Sequence, residues 1–213
     1  MEDISLRALR ILRECDLLLA EDTRQTYILL QKYDIKKPIQ SHHAHNEHYT
    51  VQKIVQSIKN EQKVIALVSD AGTPAISDPG FLLVRECVKQ AVTVECLPGA
   101  TAFVPALVQS GLPCDRFLFE GFLPHKKGRQ TRLQALAQMP YTFILYESPQ
   151  RLLKTLEQLA EVLGNERPAA VVREISKLHE ETARGTLQEL ITHFTNKTTI
   201  KGEIVLVVAG NNE

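Results

Sequence analysis

The sequence predicts an α/β protein of two domains, and three features predict it. Strand-forming runs alternate with segments of helical period, the first strands end in turns of small residues, and the alternation restarts after the turn-rich Ser110-Gly111-Leu112-Pro113. The chain has 213 residues, 44% of them hydrophobic, and domains of about 100–200 residues are usual, so two compact cores can be built. With the boundary near Pro113, an N-terminal α/β domain takes residues 1–113 and a C-terminal one residues 114–213.

The elements follow in order. Ile4, Ala8, Ile11, Leu12 and Cys15 recur at helical spacing with Arg7, Arg10 and Arg13 between them, which predicts an amphipathic helix capped by Asp3 or Ser5. Leu17–Ala20 is a short buried strand. Helices are expected over Gln25–Tyr33, Thr50–Lys59, Phe81–Gln90 and Ala102–Gln109, with strands at Val64–Val68 and Val92–Cys96. This order implies a mainly parallel sheet. In the second half, Phe117–Phe122, Thr142–Tyr146, Ala169–Val172 and Glu203–Val208 are expected as strands, separated by helices near Gln130–Gln138, Arg151–Leu163 and Leu187–Phe194.

Charge and cysteines narrow the function classes. Twenty-five basic and 25 acidic side chains cancel, so no whole-molecule field draws the chain to nucleic acid or anionic lipid, and any RNA contact has to be local. Cys15, Cys87, Cys96 and Cys114 fall in no CxxC pair and no metal-ligand spacing, as expected of a reducing cytoplasm. No apolar run reaches the roughly 20 residues of a spanning helix, and no membrane partner is expected.

Two strand-end loops are the first candidates for a site. Asp70-Ala71-Gly72-Thr73-Pro74 leaves the carboxyl end of a strand, where open α/β sheets hold their ligands. Gly72 lets backbone approach a ligand, Pro74 stiffens the exit, and Asp70 can accept hydrogen bonds from a ribose or an ammonium group; a plain Asp-x-Gly turn explains the motif equally well. Asp78-Pro79 reads as the N-cap and first residue of a helix. Leu97-Pro98-Gly99-Ala100-Thr101-Ala102 again follows a strand and opens a helix, whose N–H groups can hold an anion. Neither loop matches a nucleotide fingerprint. His42, His43, His45 and His48 match no zinc spacing, so no metal is expected and a polar loop near an RNA entrance is the preferred reading.

The motifs AEDTR (Ala20–Arg24), ALVSDAGTPAISDPG (Ala66–Gly80), LPGATA (Leu97–Ala102), SGLPCDRFLFEGFLP (Ser110–Pro124), YESPQRL (Tyr146–Leu152) and REISKLHEE (Arg173–Glu181) span nearly the whole chain. Together they resemble the small-subunit ribosomal RNA methyltransferase branch of the tetrapyrrole methylase-like S-adenosylmethionine enzymes. The resemblance implies two α/β domains with the cofactor cleft between them, a homodimer, and methylation of the ribose 2′-hydroxyl of a cytidine in the decoding region of 16S rRNA. Matched by position, it implies that Asp70, Gly72, Thr73, Pro74, Pro98, Gly99, Thr101 and Ala102 bind the cofactor, joined by Tyr146, Arg173, Glu174 and Gly202. Members of the branch begin with a strand and a Pro-x-x-Gly-Asn-Leu-type turn ahead of the segment matching Glu2-Asp3-Ile4-Ser5. The present sequence carries neither, so its N-terminal domain is expected to lack the first strand.

Methyl transfer to a ribose oxygen mainly requires positioning at about 3–3.5 Å, helped by a base or by a cation that stabilises the alkoxide. Lys177, Glu180 and Glu147 are the catalytic candidates, against the alternative of a solvated Lys177–Glu180 surface pair. Phosphate contacts are expected from Lys126, Lys127, Arg129 and Arg132, where a Gly-containing loop leads into a helix, and from Arg24, for which a structural pair with Asp22 is the alternative. Two other functions stay open. One is a methylase of corrin-type macrocycles; the other is a noncatalytic RNA-binding or dimerisation remnant.

Overall fold

A computed structural model describes residues 2–211. The chain divides into two units, the first ending at Thr101 and the second beginning at Ala102.

In the first unit, α1 (Leu6–Glu14) starts where Ser5 Oγ accepts from Ala8 N at 3.1 Å. The other elements are β1 (Leu17–Ala20), α2 (Thr23–Lys32), β2 (Ile39–Ser41), α3 (Glu47–Glu61), β3 (Ile65–Val68) and α4 (Phe81–Lys89). The strands form a parallel sheet in the order β2-β1-β3. β1 is central and covered on both faces, which explains its unbroken apolar run. Leu18 packs with Leu9, Leu12, Cys15, Leu30 and Ile35, and Leu19 with Val51, Ile54, Val55, Leu83 and Cys87.

Three expectations need correcting here. Val92–Cys96 is not a strand; its backbone pairs with no described strand and its side chains are mostly exposed. β2 escapes the sequence reading because it has three residues, one of them a glutamine. Finally, α4 begins at Phe81, behind Gly80 with φ +130°, so Asp78 and Pro79 are neither cap nor first turn. The cap comes from far away in sequence. Buried Glu47 accepts through Oε1 from the N–H groups of Gly80, Leu82 and Leu83 at 3.0, 3.0 and 3.4 Å, a carboxylate at the positive end of a helix. Gly80 is required there, because a Cβ would lie 2.6 Å from Leu67 Cδ2.

The second unit contains α5 (Phe103–Ser110), β4 (Phe117–Phe122), α6 (Arg129–Ala137), β5 (Thr142–Glu147), α7 (Leu152–Leu163), β6 (Pro168–Arg173), β7 (Glu181–Thr186), α8 (Leu187–Thr195) and β8 (Ile204–Val208). Its sheet runs β4-β5-β8-β6-β7. Only β4 and β5 pair in parallel; β8 enters antiparallel between β5 and β6, and β7 returns along β6. The short link 174–180 permits the antiparallel return of β7 along β6. β7 was not foreseen, since Glu181-Thr182-Ala183-Arg184-Gly185-Thr186 lacks a strand-like composition. One face packs Phe143, Leu145 and Leu206 against Leu133, Leu156, Leu159, Leu190 and Phe194. The other packs Ile144, Val172, Val205 and Val207 against Ala106 and Leu107 of α5. That second layer is why the units divide before α5 rather than near Pro113.

Glu181 ties β7 to its surroundings. Its carboxylate pairs with Lys197, with His193 Nε2 at 3.1 Å and with Arg173 Nη2 at 3.1 Å. Burial pushes its pKa up, but the cations outweigh this and hold it at about 2. A depressed carboxylate stabilises the fold above its unfolded value and loses that contribution as pH falls through the folded one. Acid unfolding should therefore steepen from about pH 4.5 towards 2, and Glu181→Gln should remove that part of the pH dependence in thermal melts.

Candidate functional site: glycine loops and a strand-end cluster

In the first unit, β1 and β3 end side by side, Ala20 opposite Val68. The loops that follow are laced together. Asp70 Oδ1 accepts from Asp22 N at 3.1 Å, and Asp70 N donates to Glu21 Oε2 at 3.3 Å. Ser69 Oγ donates to the carbonyls of Ala71 and Gly72 at 3.2 and 3.3 Å. Thr73 Oγ1 donates to Ala100 O at 3.5 Å, which brings Asp70–Pro74 against Pro98–Thr101 although no described strand leads into the second loop. Ala102 falls at the start of the second unit, next to α5. Backbone just past the first loop is strained, with φ +70° at Ala75 and +66° at Ser77, and such strain concentrates at ligand sites.

The two glycines differ in what the protein asks of them. Gly72 has φ +73°, so the turn itself favours glycine, although a Cβ would meet no atom within 4 Å. Gly99 has no positive φ, and a Cβ there would meet only Leu97 O, at 3.9 Å. Nothing in the fold requires glycine at 99. A ligand lying on that backbone would. None of these residues lines the hollow of about 660 Å³ beside α2, between Tyr27 and Ile39.

In the second unit, Tyr146 and Glu147 close β5, Arg173 and Glu174 close β6, and Gly202 leads into β8. Ile204 is opposite both Glu147 and Arg173, so these predicted residues meet at one end of the sheet. Gly202 has φ +90°, a backbone that favours glycine, and a Cβ there would displace the Glu174 carboxylate, whose Cδ it would meet at 2.2 Å. Glu174 Oε1 accepts from Glu203 N and from Lys177 Nζ, at 2.9 and 3.0 Å, which holds its carboxyl below the usual range. Arg173 is spent on Glu181 and on Lys201 O.

The catalytic candidates do not survive equally. Lys177 and Glu180 sit in a turn, not on a helix. Lys177 Nζ lies between Glu174 and Glu203, at 3.0 and 3.1 Å. Burial lowers its pKa, but both carboxylates outweigh this and raise it, so Lys177 is a fixed cation and not a base. Glu180 accepts from Ser176 N and Gln109 Nε2 at 2.7 and 3.1 Å, a tie that orders the 174–180 turn. Glu147 is buried and fully engaged: Oε1 accepts from Ser148 N at 2.8 Å and faces Arg151 Nε at 3.3 Å, while Oε2 accepts from Thr155 Oγ1 at 2.6 Å. It is a structural group.

The basic cluster is likewise divided. Arg129 is buried and donates to Thr155 Oγ1, Gln158 Oε1 and Pro124 O at 2.7, 2.8 and 3.2 Å. It cannot reach a phosphate. Arg132 pairs with Glu120 at 2.7 Å and Arg24 with Asp22 at 2.6 Å, each remaining more than half exposed. Lys126 and Lys127 are exposed, and no ion pair involves them among the described residues. His42 is fully buried, against Thr50 and Glu47. Among the described residues no group of acids, cysteines and histidines could hold a metal ion.

The model of the family described as tetrapyrrole (corrin/porphyrin) methylases matches residues 1–191. The chain belongs to this family. A tetrapyrrole methylase fold accounts for both mixed α/β units, and solved structures agree. The methyltransferase CobJ superposes with a TM-score of 0.70 at 16% identity, covering 98% of this chain and 89% of CobJ. Uroporphyrin-III C-methyltransferase from Thermus thermophilus, complexed with S-adenyl homocysteine, gives 0.63 at 19% identity over 97% and 91% of the two chains. Sequence relatives are nearer. Ribosomal RNA small subunit methyltransferase I of Thermotoga maritima is 46% identical over 99% of this chain and 93% of its own. The protein of the same name from Synechocystis is 51% identical over 98% and 74%.

Proposed function

We propose that this tetrapyrrole methylase family member methylates the RNA of the small ribosomal subunit, using S-adenosylmethionine, at the 2′-hydroxyl of a cytidine ribose in the decoding region of 16S rRNA. The observation that carries the reading is 46% identity over 99% of the chain to an enzyme named for small-subunit rRNA methylation. The residues fit the cofactor, because the bare backbone at Gly99 and Gly72 leaves room for a ligand and Asp70 offers a carboxylate beside it. S-adenosylmethionine, when bound, supplies a methyl group for in-line displacement. The protein's own share is to hold the nucleotide in line and keep its surroundings in place. A cytoplasmic homodimer completes the proposal.

Lys126 and Lys127 are assigned to phosphate. Their joint replacement by alanine should flatten the salt dependence of single-stranded RNA binding by about 1.4 in the log–log slope, two contacts at about 0.7 each. S-adenosylmethionine affinity should not change. Filter binding across a salt series checks this, and an unmoved slope would make the loop ordinary surface.

A further inference from the structure

We infer that Phe122 is a stacking site for an unpaired RNA base, set beside the two-lysine loop that holds the RNA phosphates. The inference rests on the RNA reading above and adds to it a subsite that composition and motif do not reveal. Phe122 is the last residue of β4, an edge strand, and it is 53% exposed, whereas the next residue, Leu123, is 1% exposed in the core. The strand's alternation thus turns Phe122 to the opposite face. There its ring leans edge-on against Tyr146 at 5.6 Å; Tyr146 meets Phe119 at 5.0 Å, and Phe119 stacks on Phe103 at 4.5 Å. A row of four rings therefore ends in one that is braced on one side and open on the other.

The lysines stand a few residues on, and the segment between is fixed by two arginines, Arg129 buried and Arg151 half-buried. Arg151 Nη2 donates to Leu123 O at 2.7 Å, Arg129 Nη1 to Pro124 O at 3.2 Å, and Arg129 N to Lys126 O at 3.2 Å. Arg151 Nη1 reaches His125 Nε2 at 3.4 Å. The other cations of the cluster are engaged, Arg129 inside the unit and Arg132 on Glu120. What is left at the surface is an apolar ring and, four and five residues further along a fixed segment, two exposed lysines with no ion pair among the described residues. Single-stranded nucleic acid is recognised by that combination: cations track the phosphates while an aromatic ring takes a base face. Duplex RNA hides its base faces and offers the ring nothing. The lysines' charge selects a polyanion over a purely apolar partner.

The chain contains no tryptophan, so Phe122→Trp creates a single fluorescent reporter at the proposed site. The parent chain, Phe122→Trp and Phe122→Ala would be titrated with a single-stranded oligoribonucleotide and with a duplex of equal length, and assayed on small ribosomal subunits. Stacking predicts tryptophan quenching by the single strand and not by the duplex, and parent-like affinity for Phe122→Trp. It also predicts roughly tenfold weaker binding and a raised KM for Phe122→Ala, with the salt slope unchanged. Unquenched fluorescence at saturating single strand, or parent-like binding by Phe122→Ala, would overturn it. So would a change in sedimentation of Phe122→Ala at constant RNA affinity, which would assign the ring to a second copy of the chain. If the parent methylates subunits and Phe122→Ala matches its KM, the stacking site alone is wrong; if the parent binds no RNA, the underlying reading falls with it.

Discussion

Glu147→Ala is expected to lower the stability of the protein by about 3–5 kcal/mol, the usual cost of breaking a buried ion pair from one side. The carboxylate is 3% exposed and sits among Arg151, Thr155 and Ser148. Thr155 Oγ1 also accepts from Arg129, so removal of Glu147 strands one guanidinium directly and weakens the tether of a second. Both arginines hold carbonyls of the loop that presents Lys126 and Lys127. RNA binding should weaken along with stability, whereas turnover per folded molecule at saturating substrates should hold. Urea unfolding with parallel single-turnover assays checks this. Native stability with lost turnover would return Glu147 to the list of bases.

Asp70→Ala should weaken S-adenosylmethionine binding by roughly one to two decades, since a hydrogen bond to a charged group is worth about 1.5–3 kcal/mol. Asp70 also accepts from Asp22 N, so some affinity loss could come from a loosened loop. Gly99→Ala separates the two effects. Its backbone needs no glycine and a Cβ has space, so the fold should keep its melting temperature while cofactor affinity drops. Calorimetric titration beside thermal melts reads both. Unchanged affinity in Gly99→Ala would place the cofactor elsewhere.

Helices and central strands were legible in the sequence because apolar residues recur at the period each element imposes: Ala8, Ile11 and Leu12 on α1, and unbroken runs in β1 and β8. The strand-end loops were legible for a local reason as well, since Asp-x-Gly and Pro-Gly turns are written in consecutive residues. What escaped depends on partners distant in sequence. Glu47 caps a helix that starts 34 residues later, and a lone glutamate after a histidine-rich stretch gives no sign of it. Arg129 looks like its neighbours Lys126 and Lys127 until Thr155 and Gln158 are brought to it. Val92–Cys96 has strand composition, but a strand also needs a neighbour's hydrogen bonds, which composition cannot supply. Phe122 stands at the end of an expected strand, which does not say which face it takes; only the structure, with Leu123 turned inward, leaves it outside.

Methyl transfer from labelled S-adenosylmethionine to small ribosomal subunits that lack decoding-region methylation tests the central claim most directly. The expected result is label in 16S rRNA, released on digestion as 2′-O-methylcytidine and reduced by Asp70→Ala at limiting cofactor. No label in RNA, or label transferred to a corrin-type macrocycle instead, would contradict it.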